Sequence, residues 1–497
     1  MKRNNVFLLM VFLGLSLSQV VGDDQPQVLA DLLMDADVQE FAVIFPKFKE
    51  QGEKGLAVLS SEIDRKLPPD AKDETKEKLA KRQVNAAVAL LKMDQSEKVW
   101  PLLKHSPDPR VRSYLVHRLS QLGADPKTIV KRLHDESDIT IRRALILSLG
   151  EFGENEFLLD DRKALLPKLQ DMYRMATDPG LHASAEWLLR AWKQEAWLKQ
   201  VNEEWAKEKE QREKKLDGIK QLLTKEKEKT PSQWYVNGQG QTMVVIPGPV
   251  EFLMGSPLTE AARYQNETQH KKRISRTFAL AAKLVTVEQY LRFDGSYSFT
   301  KQFAPQPDCP VVATSWFQAA AYCNWLSMQE GIPEDQWCYE MKGDVTKLKA
   351  NYLKLSGYRL PTEAEMEYAT RAGAVTARYF GETDELLPKY AWYQQNSQEK
   401  TWPVGSLKPN ELGLFDVQGN VFTWCQESVK AYPSVKGEEI AEDREDILVV
   451  TSTISRVLRG GSFFNKASSL RSASRLVNVP TMRSFSFGFR VARTITP

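Results

Sequence analysis

Apolar residues recur at spacings of three and four from about residue 27 to residue 200, and then this period disappears. That change constrains the chain more than any other feature. The first part must be a set of amphipathic helices, and the second must be built from short elements and loops. The helical pattern is plain in "VNAAVALLKM" (Val84 to Met93) and "RRALILSLGEF" (Arg142 to Phe152), with Pro and Gly falling between such runs. Three stretches align: "DPRVRSYLVHRLSQLG" from Asp108, "DITIRRALILSLGEFG" from Asp138 and "DPGLHASAEWLL" from Asp178. Val111, Ile141 and Leu181 share one position; Arg112, Arg142 and His182 share the next; Leu119, Leu149 and Leu189 share a third. The leading Asp is expected to cap each helix, the apolar positions to form one stripe, and Gly123 and Gly153 to close the first two helices.

The Asp-x-x-Val-Arg start of these stretches resembles HEAT repeats, at an irregular spacing near that of two-helix solenoids. The resemblance implies an array that binds other proteins along a concave surface. A helical domain that merely spaces or caps its neighbour fits equally. Residues 201–230 are dense in Lys and Glu, with opposite charges four apart, as at Glu208 and Arg212, and read as a semi-rigid, solvated helical linker reaching residue 233.

At 497 residues there is room for about two or three domains with their own cores. The formal net charge is only +3, from 68 basic and 65 acidic residues, so a dedicated nucleic-acid binder is not expected. Lys2 and Arg3 precede the apolar run Val6 to Leu17, and Val20 and Gly22 are small enough for cleavage before Asp23. Residues 1–22 thus read as a signal peptide, with an uncleaved anchor as the alternative, and the protein as exported, periplasmic or extracellular. No later stretch is apolar enough to cross a membrane. Export permits disulfides, but Cys309, Cys323, Cys338 and Cys425 allow three full pairings and show no C-x-x-C spacing. Buried thiols, or one bridge such as Cys323–Cys338, are expected.

From Trp234 on, the chain carries ordered local signatures. "TMVVIPGPVEFLMGS" (Thr242 to Ser256) has the look of a hairpin around Pro-Gly-Pro, and Phe278 to Tyr290 reads as a strand leading into a helix near Thr286. Pro310 to Ser327 reads as a short strand, then a helix. In "YRLPTEAEMEYATRAG", Thr362 and Glu365 form a capping box and Gly373 ends the helix. "GLFDVQGNVFTWC" is a set of turns, and "RVLRGGSFF" and "SFGFRVAR" read as closing strands. Together these motifs, over about residues 243–493, resemble the formylglycine-generating enzyme, or sulfatase-modifying factor, family.

The resemblance implies a C-terminal α+β domain (residues 234–497) with a variant C-type-lectin fold and much loop, behind an all-α HEAT-like solenoid (27–200) and the linker (201–233). It also implies a chemistry: oxidation of a substrate Cys through two active-site Cys that bind copper(I), since soft thiolates suit that ion. Here those positions fall at Asn465 and near Leu470, and no Cys follows Cys425. An amide cannot form a thiolate–copper bond or a mixed disulfide, so no catalytic residue is assigned and no copper is expected. Nor is iron: a related branch uses histidines, but His105, His117, His134, His182 and His270 form no ligand-like pair and read as scattered surface or helix-end residues. The family's structural calcium would take Asp416 and the carbonyls of Gly419 and Val421, a set weakened because Thr423 stands where a family Glu falls. A turn held by hydrogen bonds is the alternative there.

What the resemblance leaves is a peptide groove, here lined by Phe422, Ser462, Asn465 and Arg475. Two functions follow as expectations. One is an exported, non-catalytic binding or scaffolding protein that engages a protein or peptide through the HEAT-like region and the groove. The other is an oxidoreductase of the same superfamily that works without copper thiolates.

Overall fold

A computed structural model describes residues 26–225, 231–343, 345–433 and 439–496. The signal-peptide stretch lies outside the described residues. The chain forms two compact units, one of residues 1–105 and 110–159, the other of 106–109 and 160–497. No described helix is long and apolar enough to cross a membrane.

The first unit is all helical: α1 (Pro26–Asp35), α2 (Val38–Lys49), α3 (Gly52–Asp64), α4 (Asp73–Lys92), α5 (Arg110–Gln121), α6 (Pro126–Asp135) and α7 (Ile139–Leu149). Asp138 caps α7, its carboxylate accepting from the Thr140 and Ile141 amides at 2.8 and 3.2 Å. The apolar stripe faces inward: Leu115, Leu119, Leu145 and Leu149 are fully buried. Gly123 follows α5 at φ +73°, in the left-handed region where a side chain is costly. The α7 helix stops at Gly150, not at the expected Gly153.

The second unit begins with α8 (Leu159–Met175), α9 (Pro179–Ala191), α10 (Glu195–Lys207) and α11 (Lys209–Lys225). It therefore divides from the first near residue 159, well before the composition changes near residue 200. Asp178 caps α9 through the Leu181 amide (2.6 Å). The charged segment is helical as expected, yet it does not stand free. Ile219 and Leu223 are buried in the core of the C-terminal domain beside Tyr235, and Leu216 packs against the same cluster.

Five strands form the central antiparallel sheet, in the order β1 (Gln233–Val236), β2 (Thr242–Ile246), β5 (Phe278–Ala281), β15 (Ala492–Thr494) and β8 (Tyr358–Arg359). Both faces are covered. Met243, Val245, Ala279 and Ala281 enter one core, and Val244, Ile246, Phe278 and Leu280 another, which is why "MVVI" and "FALA" read as continuous apolar runs. Helices α12 (Val287–Phe293), α13 (Trp316–Gln329) and α14 (Glu363–Arg371) pack on these strands, each opened by a capping box, at Thr286/Gln289, Ser315/Gln318 and Thr362/Glu365.

The Pro-Gly-Pro segment does not close a hairpin. Strand β3 (Val250–Met254) leaves β2 and pairs instead with β4 (His270–Ile274), which carries β10 (Ile440–Glu442) on its other edge. A second small sheet joins β11 (Val449–Val450), β7 (Val345–Leu348) and β6 (Tyr339–Lys342). The fourth sheet runs β13 (Arg475–Asn478), β12 (Arg456–Arg459), β9 (Phe422–Ser428) and β14 (Phe487–Gly488).

All four cysteines are buried free thiols, so no Cys323–Cys338 bridge forms. The histidines are not uniformly superficial either: His117, His182 and His270 are buried.

Candidate functional site

The Arg-Gly-Gly-Ser segment leaves the end of β12. Gly460 and Gly461 have φ of +95° and +75°, and a Cβ on Gly460 would stand 2.8 Å from the Val417 carbonyl oxygen, so glycine is required there. The chain then turns on itself. The Asn465 side-chain oxygen accepts from the Ser462 amide (2.9 Å) and hydroxyl (2.7 Å), and the Asn465 amide donates to the Ser462 carbonyl (3.0 Å). Leu470 is fully buried in an apolar cluster with Leu414, Val417 and Val457. Of the two places where the resemblance puts copper-binding sulfur, one is a turn-closing amide and the other falls near a core leucine.

Three of the four expected groove residues are buried: Ser462, which is 1% exposed and spent on Asn465, Phe422 and Arg475. Phe422 is buried, edge-on to Phe487 with ring centroids 6.0 Å apart. Arg475 faces Arg459 across β12 and β13. Its guanidinium forks onto Glu363, Nε to Oε1 at 2.8 Å and Nη2 to Oε2 at 2.7 Å, and lies 4.1 Å from the Tyr432 ring centre. Arg459 reaches the same Glu363 (2.9 Å), Glu367 (2.7 Å) and the Tyr432 hydroxyl. Farther along, Arg471 is held by Glu267 at 2.8 Å and by Glu260 at 2.5 Å. These arginines hold loops together. Burying a charge is costly unless it is paired and hydrogen-bonded, and here each is. Burial, then the nearby Asp443 and Glu363, push the Glu427 carboxyl well above the usual range.

The turn presents something else to solvent. Phe463 is fully buried, whereas its neighbour Phe464 is 44% exposed. Phe464 lies 5.9 Å from Phe303, which stacks on Phe485 at 4.4 Å, and Phe485 is 41% exposed. Half-buried Asn465 sits beside this platform. The sequence signal was the doubled Phe after Gly-Gly-Ser: in a tight turn, one side chain must go in and the next out.

The donor set at Asp416 does not fit calcium. Its carboxylate accepts from the Gly405 amide (2.8 Å) and the Asn420 side-chain nitrogen (3.2 Å). Arg490 Nη2 occupies the carbonyls of Phe415 and Asp416 (2.9 and 3.0 Å). Burial raises the Asp416 carboxyl, opposed by these donors. A cation would have to displace N–H donors and sit near a guanidinium. Among the described residues no three His, Cys, Asp or Glu side chains are grouped to hold a metal. Asp416 (φ +51°), Gly419 (+79°) and Asn420 (+58°) instead form a hydrogen-bonded turn, with the Gly419 amide donating to the Gly460 carbonyl at 2.8 Å.

Comparison with known proteins bears on the second unit. A family model described as "Sulfatase-modifying factor enzyme 1-like domain" matches residues 227–495. A formylglycine-generating enzyme of Streptomyces coelicolor is 31% identical over 204 residues, which cover 38% of this chain and 53% of that protein. A serine/threonine-protein kinase, pkn1, of Chlamydia pneumoniae is 30% identical over 187 residues, covering 37% of this chain and 24% of the kinase. The chain thus spans about half, or less, of the length of these relatives. Among solved structures, Treponema denticola variable protein 1 aligns over 53% of this chain and 99% of its own, at 28% identity and a TM-score of 0.42.

Proposed function

The chain belongs to the sulfatase-modifying factor enzyme 1-like family through residues 227–495, and from that membership we propose that it uses the fold as an exported, non-catalytic binding module for a protein or peptide. One observation carries the reading. No Cys follows Cys425, and where the resemblance implies two thiolates, one position is Asn465, whose oxygen is committed to Ser462, and the other falls near Leu470, sealed in the core. Neither can bind copper(I) or engage a substrate thiol. The Phe303, Phe464 and Phe485 platform beside that turn is the binding surface, since exposed aromatic clusters serve as contact anchors. The helical array is a second surface for the same kind of partner.

Two outcomes test this. The purified protein, supplied with copper(I), oxygen and a Cys-x-Pro-x-Arg peptide, is expected to form no aldehyde by mass spectrometry; protein-dependent aldehyde returns the chain to the oxidases. Peptides selected from a displayed library on the intact protein are expected to lose about tenfold or more in affinity when Phe464 and Phe485 are both changed to Ser. An unchanged affinity with an unchanged melting temperature places the binding surface elsewhere.

A further inference from the structure

A second concavity lies far from the Gly-Gly-Ser turn in sequence. Helices α8, α10 and α11 and strand β1 enclose about 690 Å3, lined by Arg174, Trp205, Glu208, Arg212, Lys215 and Trp234 among others. That volume suits a small organic ligand.

Its floor is a stacked column. The Trp234 indole is fixed by a 2.7 Å hydrogen bond from Nε1 to the Ala176 carbonyl. One face stacks on His182 at 3.8 Å, and His182 in turn stacks on Tyr173 at 4.4 Å. The other face is left to Lys215, whose Nζ stands 3.0 Å from the ring centre. Trp205 flanks the column, 5.6 Å from Trp234 and 5.3 Å from Tyr173.

The charges are unbalanced. The lining holds four basic side chains, Arg174, Arg212, Lys214 and Lys215, and one carboxylate, Glu208. Arg174 is engaged by Glu204 at 3.3 Å, and Arg212 donates to the Ala206 carbonyl at 2.6 Å, leaving its buried Nε without an acceptor. Among the described residues no carboxylate comes within ion-pair distance of Lys215. Lys215 is exposed, and a cation held on an aromatic face without a counter-charge is a waiting half of an ion pair.

We propose that this cavity binds a small organic anion with a flat apolar body, an aromatic carboxylate or sulfonate, its ring against Trp205 and its charge on Lys215.

Protonation follows from the geometry. Although Lys215 as a whole is exposed, desolvation where its ammonium meets the indole lowers it to about 7, and His182 beneath the indole is kept neutral, its pKa pushed to about 3 chiefly by burial. Arg174, Arg212, Lys214 and Glu208 are the other charged groups facing this space. A bound anion raises the Lys215 pKa, so binding takes up a proton above pH 7 and is pH-independent below it. Affinity is expected to fall about fivefold between pH 7 and pH 8 and about tenfold per unit above that.

The test is calorimetry of naphthalene-2-sulfonate with the full chain, in buffers of different ionisation enthalpy. One site per chain is expected, with about one proton taken up near pH 8. Lys215→Gln is expected to weaken binding about tenfold or more near pH 6 and to abolish the proton uptake. Lys215→Arg is expected to bind with no pH dependence across the same range, and melting curves establish that both variants are folded. No binding at millimolar probe, or equal binding by the Gln variant, overturns the proposal.

Discussion

Replacing Glu365 with Ala is expected to cost about 3–5 kcal/mol, the largest effect of any single substitution considered in this fold. Glu365 is fully buried and accepts from both terminal nitrogens of fully buried Arg359 (2.7 Å each), from Arg276 Nε (2.9 Å) and from the Thr362 amide (2.9 Å). Against a burial that favours the neutral acid, Arg276 and Arg359 hold its carboxyl down at about 2. Truncation strands the Arg359 guanidinium and opens the α14 capping box together. Urea unfolding at neutral pH measures the loss. Changing Arg359 to Met as well should recover part of it, because two absent charges cost less than one unpaired. The contribution of Glu365 is present above its unfolded value near 4.5 and is lost as pH falls through about 2. A loss below about 1 kcal/mol would show that the pair is screened by water rather than sealed.

Acid should weaken the second unit earlier than carboxylate titration alone would. His182 is buried, its Nδ1 2.7 Å from the Tyr173 carbonyl oxygen, and burial, aided by Lys215 and Lys283, pushes its pKa from 6.5 to about 3 against the pull of Glu186. The unfolded chain takes up a proton that the folded one refuses. Stability is therefore complete above pH 6.5 and declines toward pH 3, by about 4–5 kcal/mol over the whole window. His182→Phe keeps the stack between Tyr173 and Trp234 and loses the hydrogen bond. It should be about 1 kcal/mol less stable than the parent at neutral pH and more stable at pH 4–5. Parallel stability curves for the two proteins across that window would show that His182 does not govern the acid response.

What the sequence announced was local. Thr362-x-x-Glu365 names a helix start within four residues, and the structure contains it. Strands β2 and β5 were visible as apolar runs because both faces of their sheet are covered, whereas β1 and β8 were not read as strands. The groove was less legible because burial in a loop-rich domain depends on distant partners. Arg475 is buried by Glu363, 112 residues away, and nothing near either residue signals the other. Pro-Gly-Pro looked like a hairpin turn because a turn is local, whereas the sheet each arm joins is not. In the charged segment the clue was present but outvoted: Leu216, Ile219 and Leu223 form a stripe at helical spacing, thin among the lysines and glutamates yet enough to dock the helix. His182 carried no local sign that it would lie between two aromatic rings.

The fastening of α9 sets the limits of inheritance for this fold. Half-buried Lys283 on the family domain pairs with buried Glu186 of α9, and Gly413, at φ +76°, leaves no room for a side chain beside the Pro179 carbonyl. A gene fusion that moved only residues 231–496 to another chain would leave Lys283 without its counter-charge and lay open the indole of Trp234. The smallest segment that can travel intact starts near residue 160. The helices ahead of the family domain are thus not cargo of the neighbouring unit but part of what recombination must carry along.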